Sequence, residues 1–236
     1  MAKAGSKYVS PEQKKILKVV VDQYPGYYLT GGTALALYFG HRRSEDLDFF
    51  TQQYKRNVPP KIMEYISQKT GFGHGLIGEV HDPQLVPMQS HIVKVKSGGE
   101  VKVDFVLDSF RNINKIKNGL HSVEDIYFRK IGIAVGGGRT VFNEAGREVS
   151  MGRQRAKDIY DLYYLSNHYE DFPSFFKRHF RPGHIERLSS WYRSFNRLEI
   201  ATNLIDLATK EKVDARNILK YLDQKILIEL EHGEMN

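Results

Sequence analysis

Cysteine is absent from the sequence, so no disulfide can staple the fold and no thiolate can hold a metal, while the redox compartment stays open. Long apolar runs are missing too. Nothing approaches the length of a membrane span, and residues 1–5 lack the apolar stretch of a signal peptide. The expectation is a cytoplasmic protein with no membrane role. Several chemical signatures are also lacking. No Gly-Lys-Ser/Thr closes a glycine loop, and no glycine spacing fits a dinucleotide fingerprint. No serine sits in a G-x-S-x-G elbow. His74, His81 with Asp82, and His91 do not have the spacing of a zinc site.

The composition that remains is that of an ordinary soluble protein. Of 236 residues, 41% are apolar and 27% charged, enough to bury a core in one large domain or two modest ones. Lys and Arg outnumber Asp and Glu by 35 to 28, a net charge of +7. That balance favours an anionic partner without choosing among RNA, DNA and a nucleotide. The 14 tyrosines suit base stacking and core edges equally.

The chain is organised around residues 29–50, LTGGTALALYFGHRRSEDLDFF. Gly31 and Gly32 can adopt backbone angles closed to other residues and let a ligand approach their amides. The apolar run after Thr33 reads as a helix opening, and amides at a helix start receive anions. A strand then carries Asp46 and Asp48, which a period of two places on one face with Leu47 on the other. His41, Arg42 and Arg43, between these features, suit phosphate binding or a solvated surface alike.

Around this centre the pattern alternates helix and strand. Ser10, Pro11 and Gln13 mark the start of a helix over 11–24. Pro59 and Pro60 start another, through Lys69. Residues 71–87, rich in Gly and His, read as a loop or a weak strand pair. HIVKVK and VKVDFVLD, joined at Ser97, Gly98, Gly99 and Glu100, read as a hairpin. In its second strand Lys102, Asp104 and Val106 share one face. Asp is unwelcome in strands, so Asp104 faces solvent, pairs with Lys102 or Lys94, or has a chemical task.

A helix over 123–135, ended by Gly136, Gly137 and Gly138, carries Lys130. Residues 139–152 read as a polar loop. A helix starting near Arg153 buries Ile159, Leu162, Tyr163 and Tyr160, and carries Asp158 and Asp161 on one side with Leu165. Beyond Asp171 everything reads as helix, including a last one capped by Asp214 with Ile218, Leu219, Leu222, Ile226 and Leu230 on its apolar side. The expected fold class is α+β: a mixed sheet flanked by helices over 1–120, then a helical C-terminal domain over 121–236 that completes the cleft.

Three acids on two strands, Asp46, Asp48 and Asp104, form the sharpest constellation. Each unscreened pair about 4 Å apart repels by roughly 4 kcal/mol at an effective dielectric near 20, and a divalent cation reverses that sign. Magnesium suits an all-oxygen site that also meets substrate phosphates. The chemistry this permits is phosphoryl or nucleotidyl transfer. A solvated strand edge also uses D-x-D, so spacing alone leaves both readings standing.

These segments in order, GGTALAL, SEDLDFF, VKVDFV, the Lys130 helix and RQRAKDIYDLYYL, resemble the AbiEii/AbiGii-like nucleotidyltransferase toxin family, within the DNA polymerase beta-like nucleotidyltransferase fold. The resemblance spans about residues 27–168. It implies that Asp46, Asp48 and Asp104 ligate magnesium, with manganese a possible substitute, and that Gly31, Gly32 and Thr33 receive nucleotide phosphates. It further implies that Lys130 contacts phosphate and that Asp158 acts as a base or organises the site. Lys157 stands where the family often has Arg, which keeps charge but loses a bidentate fork.

From the same resemblance come a nucleoside triphosphate donor, an RNA acceptor of the transfer RNA class, and a cognate antitoxin. Transfer to a protein hydroxyl, and a nucleotide- or RNA-binding module without turnover, are the competing expectations. Donor base and oligomeric state are left open.

Overall fold

The computed structural model describes residues 7–82, 85–136, 140–142, 148–150 and 155–233. It divides into two compact units, Met1–Ile126 and Tyr127–Asn236. Among the described residues no helix is long and apolar enough to cross a membrane.

The first unit opens with helix α1, Pro11–Gln23. The Ser10 hydroxyl accepts from the Gln13 amide at 3.1 Å and the Gln13 side chain accepts from the Ser10 amide at 2.8 Å, so two helix-start donors are satisfied reciprocally. Strand β1 (Tyr28–Thr30), helix α2 (Gly31–Phe39), strand β2 (Leu47–Thr51) and helix α3 (Val58–Thr70) follow. Strands β3 (Gly73–Glu79), β4 (Met88–Lys94) and β5 (Glu100–Leu107) complete a five-stranded sheet ordered β1-β2-β5-β4-β3. The β2–β5 pairing is parallel and the other three are antiparallel. Parallel neighbours need a long crossover, and α3 with the β3–β4 pair supplies it.

Alternation decides what this sheet buries. Leu47, Phe49, Val103 and Phe105 have no exposed area and Val101 little, whereas Asp48, Phe50 and Lys102 are half-buried. One face is therefore core and the other carries the polar positions. Helix α1 packs on α3, which meets β3, and Ile16, Val20, Ile62 and Met63 are wholly enclosed.

Where a loop or a weak strand pair was expected over 71–87, among the described residues a single strand, β3, runs over 73–79 and pairs with β4. β3 is the sheet's edge, exposed along nearly its whole length, with an irregularity between Leu76 and Gly78. A glycine-rich strand with no buried face leaves no alternation to detect.

The division between the units falls inside helix α4, Val123–Gly136; Gly137 and Gly138, expected to help end it, lie outside the described residues. Where a polar loop was expected over 139–152, strands β6 (Thr140–Phe142) and β7 (Glu148–Ser150) pair antiparallel. Three-residue strands are too short to show a period. Helix α5 is Ala156–His168; its expected start near Arg153 lies outside the described residues. On it Tyr160 is buried as expected, whereas Tyr163, expected to be buried too, is only half-buried.

Helices α6 (Phe172–His179), α7 (Ile185–Arg193), α8 (Arg197–Ile205) and α9 (Ala215–Leu222) follow. Phe175 stacks on Tyr127 with ring centroids 4.1 Å apart, and Trp191 and Tyr192 are enclosed. Asp214 caps α9 by accepting from the Asn217 amide at 3.0 Å. The chain then widens to π-type geometry over Asp223–His232. Ile218, Leu222, Ile226 and Leu230, four apart, are all buried. A spacing of four overshoots an α-turn of 3.6 residues, and the looser i→i+5 winding brings the later pair back to the same side.

Candidate active site

The first group of site residues stands on the polar face of the five-stranded sheet. Asp48 on β2 and Asp104 on β5 are register partners on adjacent parallel strands. Thr30 on β1 pairs with Asp48, and Ser90 on β4 pairs with Asp104. Register partners share a face, so Thr30, Asp48, Asp104 and Ser90 form one row across four strands. Asp46 precedes Asp48 by two residues and, like it, is half-buried while Leu47 between them is enclosed. The acids thus gather on one side of the sheet, where directly opposed like charges disfavour the pairing they sit on.

The row is not a finished metal cage. Among the described residues no group of three or more His, Asp or Glu side chains has the arrangement of a metal site. At Asp104, Lys102 Nζ lies 2.5 Å from Asp104 Oδ2, the pairing that Lys102's place on the same strand face allowed. The other carboxylate oxygen, Asp104 Oδ1, is buried with no hydrogen-bond partner. A buried acceptor without a partner costs about 1–3 kcal/mol.

The glycine turn closes against this row. Helix α2 begins at Gly31 itself rather than at the apolar run. Gly31 has φ +68°, and a Cβ there would sit 3.0 Å from Asp48 Oδ2. Any side chain would be both strained and pressed into the carboxylate. At Gly32 a Cβ would meet an Arg42 guanidinium nitrogen at 2.5 Å. The first amides of α2 thus open beside an acid, within one short segment.

Thr33 has no exposed area; its hydroxyl donates to the Asp46 carbonyl and lies 2.8 Å from Ser44 Oγ. This side chain holds the backbone that carries Asp46, so any phosphate contact from Thr33 comes from its amide. The neighbouring basic run is split between interior and surface. His41 and Arg42 are buried, and only Arg43 is exposed. Arg42 donates to the Arg43 carbonyl at 3.0 Å and, packed on Gly32, supports the turn from behind.

One supporting element had no sequence signal. His121 is fully enclosed; its Nδ1 lies 2.8 Å from Thr30 Oγ1 and its Nε2 lies 3.0 Å from Asn112 Oδ1. Tyr28 donates to Asp108 at 2.8 Å, and Asp108 stands 3.7 Å from His121 Nε2. This network fixes Thr30, the residue joining the acid row to the glycine turn. Nearby, burial would raise the Asp125 carboxyl, but donors from Ser122 and the Ile113 and Asn114 amides overcome it and hold the group below the usual carboxylate range.

The second group of expected site residues belongs to the helical unit. Lys130 on α4 has a side chain only 9% exposed, with Nζ 3.0 Å from Asp158 Oδ1 and 2.6 Å from Asp161 Oδ2, both on α5. Asp161 is entirely enclosed and Asp158 one-fifth exposed. The sequence pointed to Asp158, but Asp161 makes the closer contact; its signal was the shared helix side with Leu165.

The model of the AbiEii toxin family, described as a nucleotidyl transferase of a type IV toxin–antitoxin system, matches residues 19–225. Two solved structures align over the whole chain. One, from H. pylori and described as a candidate nucleotidyltransferase, has a TM-score of 0.56 and 18% identity, covering 100% of this chain and 98% of that one. The other, JHP933 from Helicobacter pylori, has a TM-score of 0.55 and 19% identity, covering 100% and 97%. Identities this low speak for the fold alone. No curated protein matches the sequence.

Proposed function

The chain belongs to the AbiEii nucleotidyl transferase toxin family, and from that premise we propose that it moves a nucleoside monophosphate from a triphosphate to a hydroxyl of RNA, of the transfer RNA class, with magnesium. The observation that carries this reading is the register pairing of Asp48 with Asp104, with Gly31 closed onto Asp48. A carboxylate row beside helix-start amides offers cation ligands and an anion seat in the same place.

The residues present fit a divalent ion. Asp46, Asp48 and Asp104 would hold it, the donors are all oxygen, and the buried partnerless Asp104 Oδ1 is the atom such an ion would satisfy. When bound, magnesium supplies charge neutralisation for the triphosphate and a lowered pKa for the attacking hydroxyl. The chain's own groups do the rest. The Gly31 and Gly32 amides seat phosphate oxygens, and Thr33, Ser44 and Arg42 keep that turn against the acids. The acceptor hydroxyl attacks the α-phosphorus, a P–O ester bond forms, and the bond to pyrophosphate breaks. The hydroxyl proton passes to the Asp104 carboxylate. Placement and electrostatics account for most of such a rate enhancement.

A polyanionic acceptor is supported by the net charge of +7 and by its distribution. Lys177, Arg181 and Arg187 are exposed, and among the described residues none of them has a carboxylate partner. The family implies an antitoxin for this chain as well.

The test is incubation of the protein with each labelled triphosphate, magnesium and total RNA. Ribonuclease-sensitive, protease-resistant label, lost in Asp48→Ala, is the expected result. Label that protease removes would reassign the acceptor to a protein. Triphosphate binding by calorimetry with no transfer under any condition would overturn the enzymatic reading.

A further inference from the structure

Lys102 and Asp104 are two residues apart on β5, so both side chains stand on the face that carries the acid row. Their contact is lopsided. The Asp104 side chain is 9% exposed and the Lys102 side chain 37%, so the ammonium reaches in from the solvent side on a flexible stem. It engages only Oδ2, at 2.5 Å, and leaves Oδ1 buried without a partner. Beside them, in register, stands Asp48. Two facing carboxylates need positive charge, and here part of it is a side chain that can withdraw, because a lysine stem costs little to swing back into water.

We propose that Lys102 is the resident counter-ion of the acid row: it neutralises Asp104 in the ion-free protein, competes with the divalent cation for that carboxylate, and withdraws when the cation binds. Once displaced, its ammonium remains on the same sheet face as the acids and serves the triphosphate as a cationic contact. Lys102 is thus a positioning and affinity-setting residue. The proposal rests on the reading of Asp46, Asp48 and Asp104 as a divalent-cation site. It adds that the protein carries a built-in competitor, so that the cation alone binds weakly and the cation with triphosphate binds well.

The experiment is titration of the full chain with manganese alone, followed by the electron paramagnetic resonance signal of the free ion, with no nucleotide and no turnover. Lys102→Met keeps the apolar stem and removes the charge; Lys102→Gln keeps a donor for Asp104 without the charge; Lys102→Arg keeps the charge. Manganese should bind about tenfold or more tightly to Lys102→Met than to the native protein, since a unit charge this close is no longer in competition. Lys102→Gln should fall between the two, and Lys102→Arg should stay near native. With manganese saturating, triphosphate should bind more weakly to Lys102→Met than to the native chain.

Unchanged or weaker manganese binding in both neutral variants, while Asp48→Asn abolishes it in the native background, would overturn the role of Lys102 and leave the cation site standing. If manganese binds no form of the protein, the cation site itself is wrong and this proposal goes with it. Binding to the neutral variants but not to the native chain would be its strongest support.

Discussion

The two units handle charge in opposite ways. In the sheet unit, like-signed carboxylates are set side by side, Asp104 buried and Asp48 half-buried, relieved at Asp104 by a half-exposed lysine that leaves one oxygen unpartnered. In the helical unit, a buried lysine lies between two carboxylates at 2.6 and 3.0 Å, one of them wholly enclosed. Buried charges survive when they are paired, and in the second arrangement the pairing lysine is itself buried between its partners. In the first the pairing lysine is half-exposed and free to leave. The difference teaches where to look for a ligand: electrostatics left incomplete in a folded protein is a cost, and a site that binds a cation recovers it.

The largest effect expected from this contrast is in Asp48→Asn. Transfer should fall by about a thousandfold or more, while thermal stability holds or rises slightly, because a like-charge cross-strand pair is relieved. A variant that lost stability in step with activity would make Asp48 a structural acid and erase the difference between the units.

Lys130→Met makes the reciprocal cut. Removing the ammonium takes from the Asp161 and Asp158 carboxylates a cation held at 2.6 and 3.0 Å, and breaking such a buried pair costs about 3–5 kcal/mol. Chemical denaturation should register that loss. If instead stability is kept and only triphosphate affinity falls, Lys130 is primarily the phosphate contact that the family resemblance implies, and the helical trio is as unfinished as the acid row.

A smaller effect concerns the exposed cations of the helical unit. Reversing Lys177, Arg181 and Arg187 to Glu should weaken RNA binding and flatten its salt dependence by about 0.7 in log–log slope for each single-strand phosphate that is no longer neutralised. Triphosphate binding should be untouched. An equal weakening from reversing Lys14, Lys15 and Lys18 on α1 would show that net charge alone, rather than this segment, attracts the acceptor.

How much of this was legible in the sequence depends on the range of the cause. A period of two fixes which face Asp46, Asp48 and Asp104 occupy, and the capping residues Ser10 and Asp214 announce their helices, because these are local rules. That β2 lies beside β5 in parallel, with Asp48 opposite Asp104, is a decision between distant segments that no local pattern contains. The burial of His41 and Arg42 was hidden for a related reason: charged residues read as surface until a fold encloses them. His121 gave no signal, since one histidine in a polar loop has nothing to mark it until Thr30, Asn112 and Asp108 converge. β3 and the β6–β7 pair escaped because glycine and brevity remove periodicity.

The gentlest probe of the contrast is acid, which should loosen the sheet unit at β4 and β5. His91 on β4 is 3% exposed, packs edge-on to Phe105, and has an Nδ1 with no hydrogen-bond partner. Burial pushes its pKa below the ordinary value and the charge of His74 adds to this, while Asp104 and Glu79 pull the other way without prevailing. The unfolded chain therefore takes up this proton at a higher pH than the folded one. The stability that neutral His91 contributes is complete above the unfolded value, about 6.5, and drains away as pH falls from there toward the depressed folded value. Hydrogen exchange read separately over the two units should show faster exchange in β4 and β5 at pH 5.5 than at pH 7, after correction for intrinsic rates. His91→Gln, which cannot take a proton, should abolish that difference. If the native β4 and β5 amides were equally protected at both pH values, the enclosed imidazole would already be stabilised in its charged form, and the sheet's buried face would hold a counter-charge that the geometry at Phe105 does not provide.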